Sequence, residues 1–250
     1  MNLSIKTIAL ASAIIASSTP AMSASVADIA FVIDQSGSMN GEFSWLSSSI
    51  DTISQGISDA GITARYAVAG YERDFGANGY YADTNVYQDF TSDISVITGA
   101  TSNVTTYGGS EYSYNAAVDA TTGFSWSDSA ASVIILITDE TSPQYGDTYS
   151  EVEVGNIMNS GDFLLNVIAQ ERDRSHWDEA AYSTDSYLGF FDINNLRDNA
   201  SDFTAQFTAA KITEIINAPA PTPVPVPAAV WLFVSGLLGL VGFQRRKASI

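Results

Sequence analysis

The sequence predicts an α/β domain, doubly wound, with a mainly parallel central sheet and helices on both faces. Three observations predict it. Apolar runs at 29–33, 133–137 and 163–169 read as buried strands, near-continuous as expected where helices cover both faces of a parallel sheet. Amphipathic helical patterns alternate with them, the mark of a doubly wound fold. Two of these strands end at an aspartate, the first at Asp34 and the second at Thr138-Asp139, where open parallel sheets place their ligand crevice.

Each element follows from local pattern. After the run at 29–33, Phe43, Leu46, Ile50, Ile53 and Ile57 recur at helical steps, and Gly61 is placed to stop that helix. The run at 64–71 is less apolar and is expected nearer an edge of the sheet. A short helix is expected over 114–120. A last helix is read from Leu196, Ala200, Phe203, Phe207 and Ala210. The segment 170–195 carries Trp177, Tyr182, Tyr187, Phe190 and Phe191. These aromatics either meet a partner or sugar or fold down as a satellite core, the second reading being favoured. Tyr80, Tyr81 and Tyr87 invite the same two readings.

The densest chemistry is Asp34-Gln35-Ser36-Gly37-Ser38. One carboxylate and two hydroxyls alternate along a turn at a strand end, offering hard oxygens that suit Mg²⁺, Mn²⁺ or Ca²⁺ better than zinc or copper. A single strand-end aspartate is usually a cap or turn former. Two of them, with an intervening Ser-x-Ser, are less easily explained that way.

Asp-x-Ser-x-Ser after the first strand, Gly108-Gly109-Ser110-Glu111 in the middle and Thr138-Asp139 after a later strand resemble the von Willebrand factor type A domain. The resemblance covers about 27–217. It implies a Rossmann-like fold and a divalent cation at a metal-ion-dependent adhesion site (MIDAS), held by Asp34, Ser36, Ser38 and Asp139. The middle ligand is Ser110 or Glu111, since many members place threonine where Ser110 stands; Thr105 and Thr106 are weaker candidates upstream. Mg²⁺ is the first expectation for the cation, with Ca²⁺ or Mn²⁺ as alternatives. The resemblance also implies a protein or polysaccharide partner that completes the metal's shell with a carboxylate.

Both ends of the chain point to export. Lys6, the apolar stretch 7–16 and the small residues that follow fit a signal peptide over 1–24, cleaved after Ala21 or Ala24. The type A domain is then expected over 25–217. Proline occupies every second position from 219 to 227, which precludes helix and favours an extended linker over 218–227. An apolar stretch, 228–243, and Gln244-Arg245-Arg246-Lys247 complete a 228–250 tail expected as a transmembrane helix with a cytoplasmic basic end. Residues 224–247 resemble the VPLPA-like variant of the PEP-CTERM sorting signal, with Val226 where that variant has leucine. That resemblance implies processing by an exosortase and transient or stable residence in the inner membrane. It also implies display on the surface, or in the exopolysaccharide matrix, of a Gram-negative bacterium.

Composition narrows the function. All 28 acidic residues but only six of the basic ones fall within 25–217, so the domain carries about −22. Nucleic acid is excluded as a partner, because phosphate binding needs a basic footprint. With no cysteine there is neither thiol catalysis nor a disulfide. A hydrolase is disfavoured: His176, the only histidine, lies in a charged stretch, and no Gly-x-Ser-x-Gly elbow is present. The expectation is a non-enzymatic, exported adhesion protein. The alternative is a structural matrix protein whose acidic surface is crosslinked by cations to acidic polysaccharide.

Overall fold

The computed structural model describes residues 25–74, 81–106, 112–143, 147–184 and 187–218. The expected signal peptide, most of the proline linker, the apolar tail, the Gly108–Gly109 loop with Ser110 and Glu111, and Tyr80 lie outside the described residues.

A six-stranded sheet forms the centre. Its strands are β1 (Val26–Asp34), β2 (Thr63–Asp74), β3 (Tyr81–Thr91), β4 (Ala131–Ile137), β5 (Phe163–Ala169) and β8 (Phe190–Asp192), in the order β3-β2-β1-β4-β5-β8. All pairs are parallel except β2–β3. Two-residue strands β6 (Ser183–Thr184) and β7 (Tyr187–Leu188) make a separate antiparallel pair. The helices are α1 (Asn40–Asp59), α2 (Ile94–Ser102), α3 (Ser113–Gly123), α4 (Glu151–Ser160), α5 (Ile193–Asp198) and α6 (Ala200–Asn217).

Period-2 alternation along the strands divides the core into two layers. Ile29, Phe31, Ile33, Val133, Ile135, Ile137, Leu164 and Ile168 face one way and pack with α1, α5 and α6. Ala30, Val32, Ile134, Leu136, Leu165 and Val167 face the other and pack with α3 and α4. Helices therefore cover both faces, which is why the central strands read as unbroken apolar runs.

All five apolar positions of the first helical pattern are buried in α1, and Gly61 follows it at φ +80°, where a glycine is favoured. The run at 64–71 lies within β2, second from the sheet edge. The edge is β3, an antiparallel strand the sequence pattern did not disclose, because YADTNVYQDFT shows no clean apolar alternation. The last helix differs from expectation. It is two helices, since Asn199 leaves helical backbone (φ −150°, ψ 84°) and accepts from the Asp202 amide as an N-cap. The aromatics of 170–195 mostly fold inward. Trp177 is fully buried edge-on to Tyr114, Phe190 is buried, and Phe191 packs on Phe203 and Phe207.

Candidate metal site

The strand order turns at β1, whose neighbours are β2 on one side and β4 on the other. At such a switch point the loops after adjacent strands diverge and leave a crevice beyond their carboxyl ends. Register places Ile33 beside Ile137, so Asp34 and Thr138 emerge side by side at that edge.

Asp34 is fully buried. Its Oδ1 accepts from the Ser36 amide at 2.6 Å, and its Oδ2 accepts from the Thr138 hydroxyl at 2.7 Å. The Ser36 and Ser38 hydroxyls lie 3.0 Å apart, and the Ser38 hydroxyl donates to Asp139 Oδ1 at 3.0 Å. Hydrogen bonds thus link Asp34, through the Ser36 amide, to Ser36, and through the Ser36 and Ser38 hydroxyls to Asp139, leading outward from the buried carboxylate past the exposed Ser38.

Surrounding residues fix this chain in place. The Gln35 side chain donates to the Tyr87 hydroxyl (2.7 Å) and to the Thr105 carbonyl (3.0 Å), so the turn is tied to β3 and to the segment after α2. Gly70 makes room for it, since a Cβ there would come within 2.4 Å of the Gln35 side chain. Arg197 of α5 bridges Glu42 (2.7 Å) and Asp139 Oδ2 (2.8 Å), and Gln170 donates to the Asp139 carbonyl at 2.8 Å. Arg197 and Gln170 were not identified from sequence, because each sits far along the chain in a stretch with no motif. Nothing at those positions distinguishes them from ordinary surface residues.

The electrostatics suit a cation. Burial pushes the Asp34 carboxyl up from its usual 3.8 to about 6; hydrogen bonds from Ser36 and Thr138 oppose the rise, and the nearby Asp139 charge adds to it. Among the described residues no basic side chain pairs with Asp34. A buried carboxylate that lacks a countercharge and opens onto hydroxyls and a second carboxylate fits a hard divalent ion. The four side chains offer carboxylate and hydroxyl oxygen rather than the nitrogen and sulfur of a typical zinc site, and among the described residues no group of three or more His, Cys, Asp or Glu side chains gathers.

The structure thus brings together the four sequence candidates it describes. Of the weaker ones, Thr105 contributes its carbonyl as an anchor for Gln35. His176 sits at the end of the 3-10 helix Glu171–His176, where its carbonyl accepts from the Tyr114 hydroxyl, and it makes no hydrogen bond to Ser36 or Ser38.

Similarity to known proteins agrees with this geometry. Two structures of proximal thread matrix protein 1 from the mussel byssus share the fold at 18% identity. In the first, the TM-score is 0.55, over 76% of this chain and 47% of the other. In the second, which has a zinc-occupied MIDAS motif, it is 0.57, over 76% and 46%. The pilus adhesin SpaC from Lactobacillus rhamnosus GG matches at 16% identity and TM-score 0.51, over 77% of this chain and 31% of the adhesin. The chain therefore spans less than half the length of these proteins. Among curated proteins none is significantly similar to it. The family model for the von Willebrand factor type A domain matches residues 28–185, well over half of the sequence, and the chain belongs to that family.

Proposed function

We propose that this protein is an exported adhesion protein that engages a partner carboxylate through a divalent cation held by Asp34, Ser36, Ser38 and Asp139. The observation that carries the reading is the hydrogen-bonded series Asp34, Ser36, Ser38 and Asp139, rooted in a buried carboxylate with no basic partner among the described residues. Ser110 or Glu111 supplies the middle ligand. The neutral serines leave the bound ion with residual positive charge, and Mg²⁺, which retains waters readily, then offers a position that an incoming carboxylate can take. Neighbours of the same fold that are a byssal matrix protein and a pilus adhesin support a surface or matrix setting.

The chain ends complete the proposal. A leader over 1–24 exports the domain, and the 224–247 signal presents it to an exosortase at the inner membrane before surface or matrix delivery. No helix among the described residues is long and apolar enough to cross a membrane, and the 228–243 stretch lies outside them.

Calorimetry of the full chain with Mg²⁺ tests the site. One site is expected, absent in Asp34→Ala and weakened in Asp139→Ala; unchanged binding in both variants sinks the assignment. Many weak sites insensitive to Asp34→Ala favour bulk crosslinking of acidic polysaccharide, the reading that the charge of about −22 suggests.

A further inference from the structure

On the opposite side of β5 from α3 and α4, the apolar alternation is broken once. Leu164 and Ile168 belong to the core facing α1 and α6, and between them the same face carries Asn166, fully buried. Facing it from α6 are Lys211, also fully buried, and Glu214, nearly so. The three side chains close a ring. The Lys211 amine donates to Asn166 Oδ1 and to Glu214 Oε2, and the Asn166 amide nitrogen donates to Glu214 Oε1 at 2.8 Å. The Tyr187 hydroxyl lies 2.9 Å from Asn166 Oδ1 and 2.9 Å from Glu214 Oε2. Rings of Tyr187, Phe191 and Phe207 surround the amine, with centroids 5.3–5.6 Å from Nζ.

A lysine in an apolar core is costly, and a carboxylate beside it offsets only part of that cost. This carboxylate touches two nitrogens at once: the amine and the carboxamide nitrogen. An amine, a carboxamide and a bridging acid in a dry aromatic pocket are the components of an amide exchange. We propose that Lys211 and Asn166 join in an intramolecular isopeptide bond, with Glu214 carrying the protons and Tyr187 donating to the amide oxygen.

The steps balance without oxidant or cofactor. Glu214 takes one proton from the Lys211 ammonium across the existing ion pair and frees the amine lone pair. Nζ attacks Cγ of Asn166, and Tyr187 stabilises the oxygen on which charge develops. As the Cγ–Nζ bond forms, Glu214 hands its proton to Nδ2, to which it is already hydrogen-bonded, and accepts a second proton from Nζ. The Cγ–Nδ2 bond breaks and ammonia leaves. The third amine proton stays on the new amide nitrogen, and Glu214 ends protonated. Burial, which lowers the amine pKa against the pull of Glu214, favours the neutral nucleophile this sequence starts from. Held groups at contact distance supply the proximity that an uncatalysed amide exchange lacks.

The bond ties the C-terminal helix to a central strand. In a chain with no cysteine it supplies a covalent staple where no disulfide can form. Force arriving through the segment after 218 would then reach the sheet through an amide bond rather than through helix packing alone.

The full chain, denatured and digested with an endoprotease, distinguishes a bond from a noncovalent cluster by mass spectrometry. The wild type should yield one branched peptide joining the Asn166 and Lys211 segments, lighter by one ammonia than the two together. Lys211→Arg, which keeps the charge beside Glu214 without a nucleophilic amine, and Glu214→Gln, which removes the proton carrier, should each yield two linear peptides. Separate linear peptides from the wild type, with Lys211 open to an amine-reactive reagent after denaturation, overturn the proposal. That measurement needs no variant to fold.

Discussion

The sheet carries two polar clusters of opposite design. At its carboxyl edge, acceptors outnumber donors: two carboxylates and two hydroxyls converge, and Arg197 reaches Asp139 from outside and not Asp34. Inside the α6 face of β5, donors and acceptors match. Lys211, Asn166, Glu214 and Tyr187 satisfy one another with no group left over. The difference teaches what each is built to do. A deficit of positive charge at a mouth calls for something from solution, whereas a closed ring in a dry core calls for nothing, and its strong contacts are directed inward.

The largest expected effect lies in the closed ring. Lys211→Ala removes the amine that faces Glu214 and would link to Asn166, and leaves that acid buried without a countercharge, which should lower unfolding free energy by about 3–5 kcal/mol. Denaturant unfolding measures it. The comparison predicts that Mg²⁺ titration of the folded variant is unchanged; a loss of cation binding along with stability would mean the two clusters are not separable.

Asp34→Asn is the mirror experiment. It keeps a side chain able to accept from the Ser36 amide but removes the charge, so cation affinity should fall more than about a hundredfold, since even outer-shell changes at metal sites cost ten- to hundredfold. Stability in chelator should move the other way. The Asp34 pKa is raised from 3.8 to about 6, so the cation-free fold binds the extra proton and loses stability as pH rises from about 4 to about 6. Above that window the charge is fully present, at a cost of about 3 kcal/mol as an upper bound. Asp34→Asn should recover part of this at pH 7 and none of it near pH 4. A variant no more stable than wild type in chelator at pH 7 would show that Asp34 is already neutralised from within the chain.

The same carboxyl sets the pH dependence of binding. A proton competes with the metal for Asp34, so in the wild type apparent affinity should drop about tenfold per pH unit below about 6 and stay flat above it. Calorimetry in buffers of different ionisation enthalpy should show proton release on binding at pH 5.5 and none at pH 8.

How much of this was legible in the sequence follows from physical range. Asp34, Ser36 and Ser38 are neighbours in sequence and their strand is an unbroken apolar run, so local pattern sufficed. Asp139 was legible because its own strand, β4, has the same character. β3, α2 and α4 escaped notice because their apolar positions are few and their faces half-exposed, and β6, β7 and β8 because two or three residues carry no period. Cross-chain choices also stayed hidden. Asn166 interrupts an apolar strand and Lys211 an apolar helical stripe, and each alone reads as a tolerated polar residue; only their juxtaposition, 45 residues apart, gives them meaning. The expected single last helix failed at Asn199, where capping outweighed the apolar repeat that continues on both sides.

Arg197 offers the finest test of the contrast, because two effects oppose there. Its charge would repel an incoming cation, while its hydrogen bonds to Glu42 and Asp139 hold the proposed ligand carboxylate in place. The side chain is 35% exposed, so the repulsion is screened and worth at most about 1 kcal/mol. Orienting a ligand is worth ten- to hundredfold in metal affinity, about 1.4–2.8 kcal/mol. Orientation should therefore win, and Arg197→Gln should weaken Mg²⁺ binding by about tenfold or less while leaving the site stoichiometry at one. Salt separates the two contributions: the lost orientation persists at high ionic strength, whereas the relieved repulsion shows only at low. Tighter binding in Arg197→Gln at every salt concentration would mean that Asp139 holds its position without help, and that Arg197 acts at this edge as a competitor of the metal.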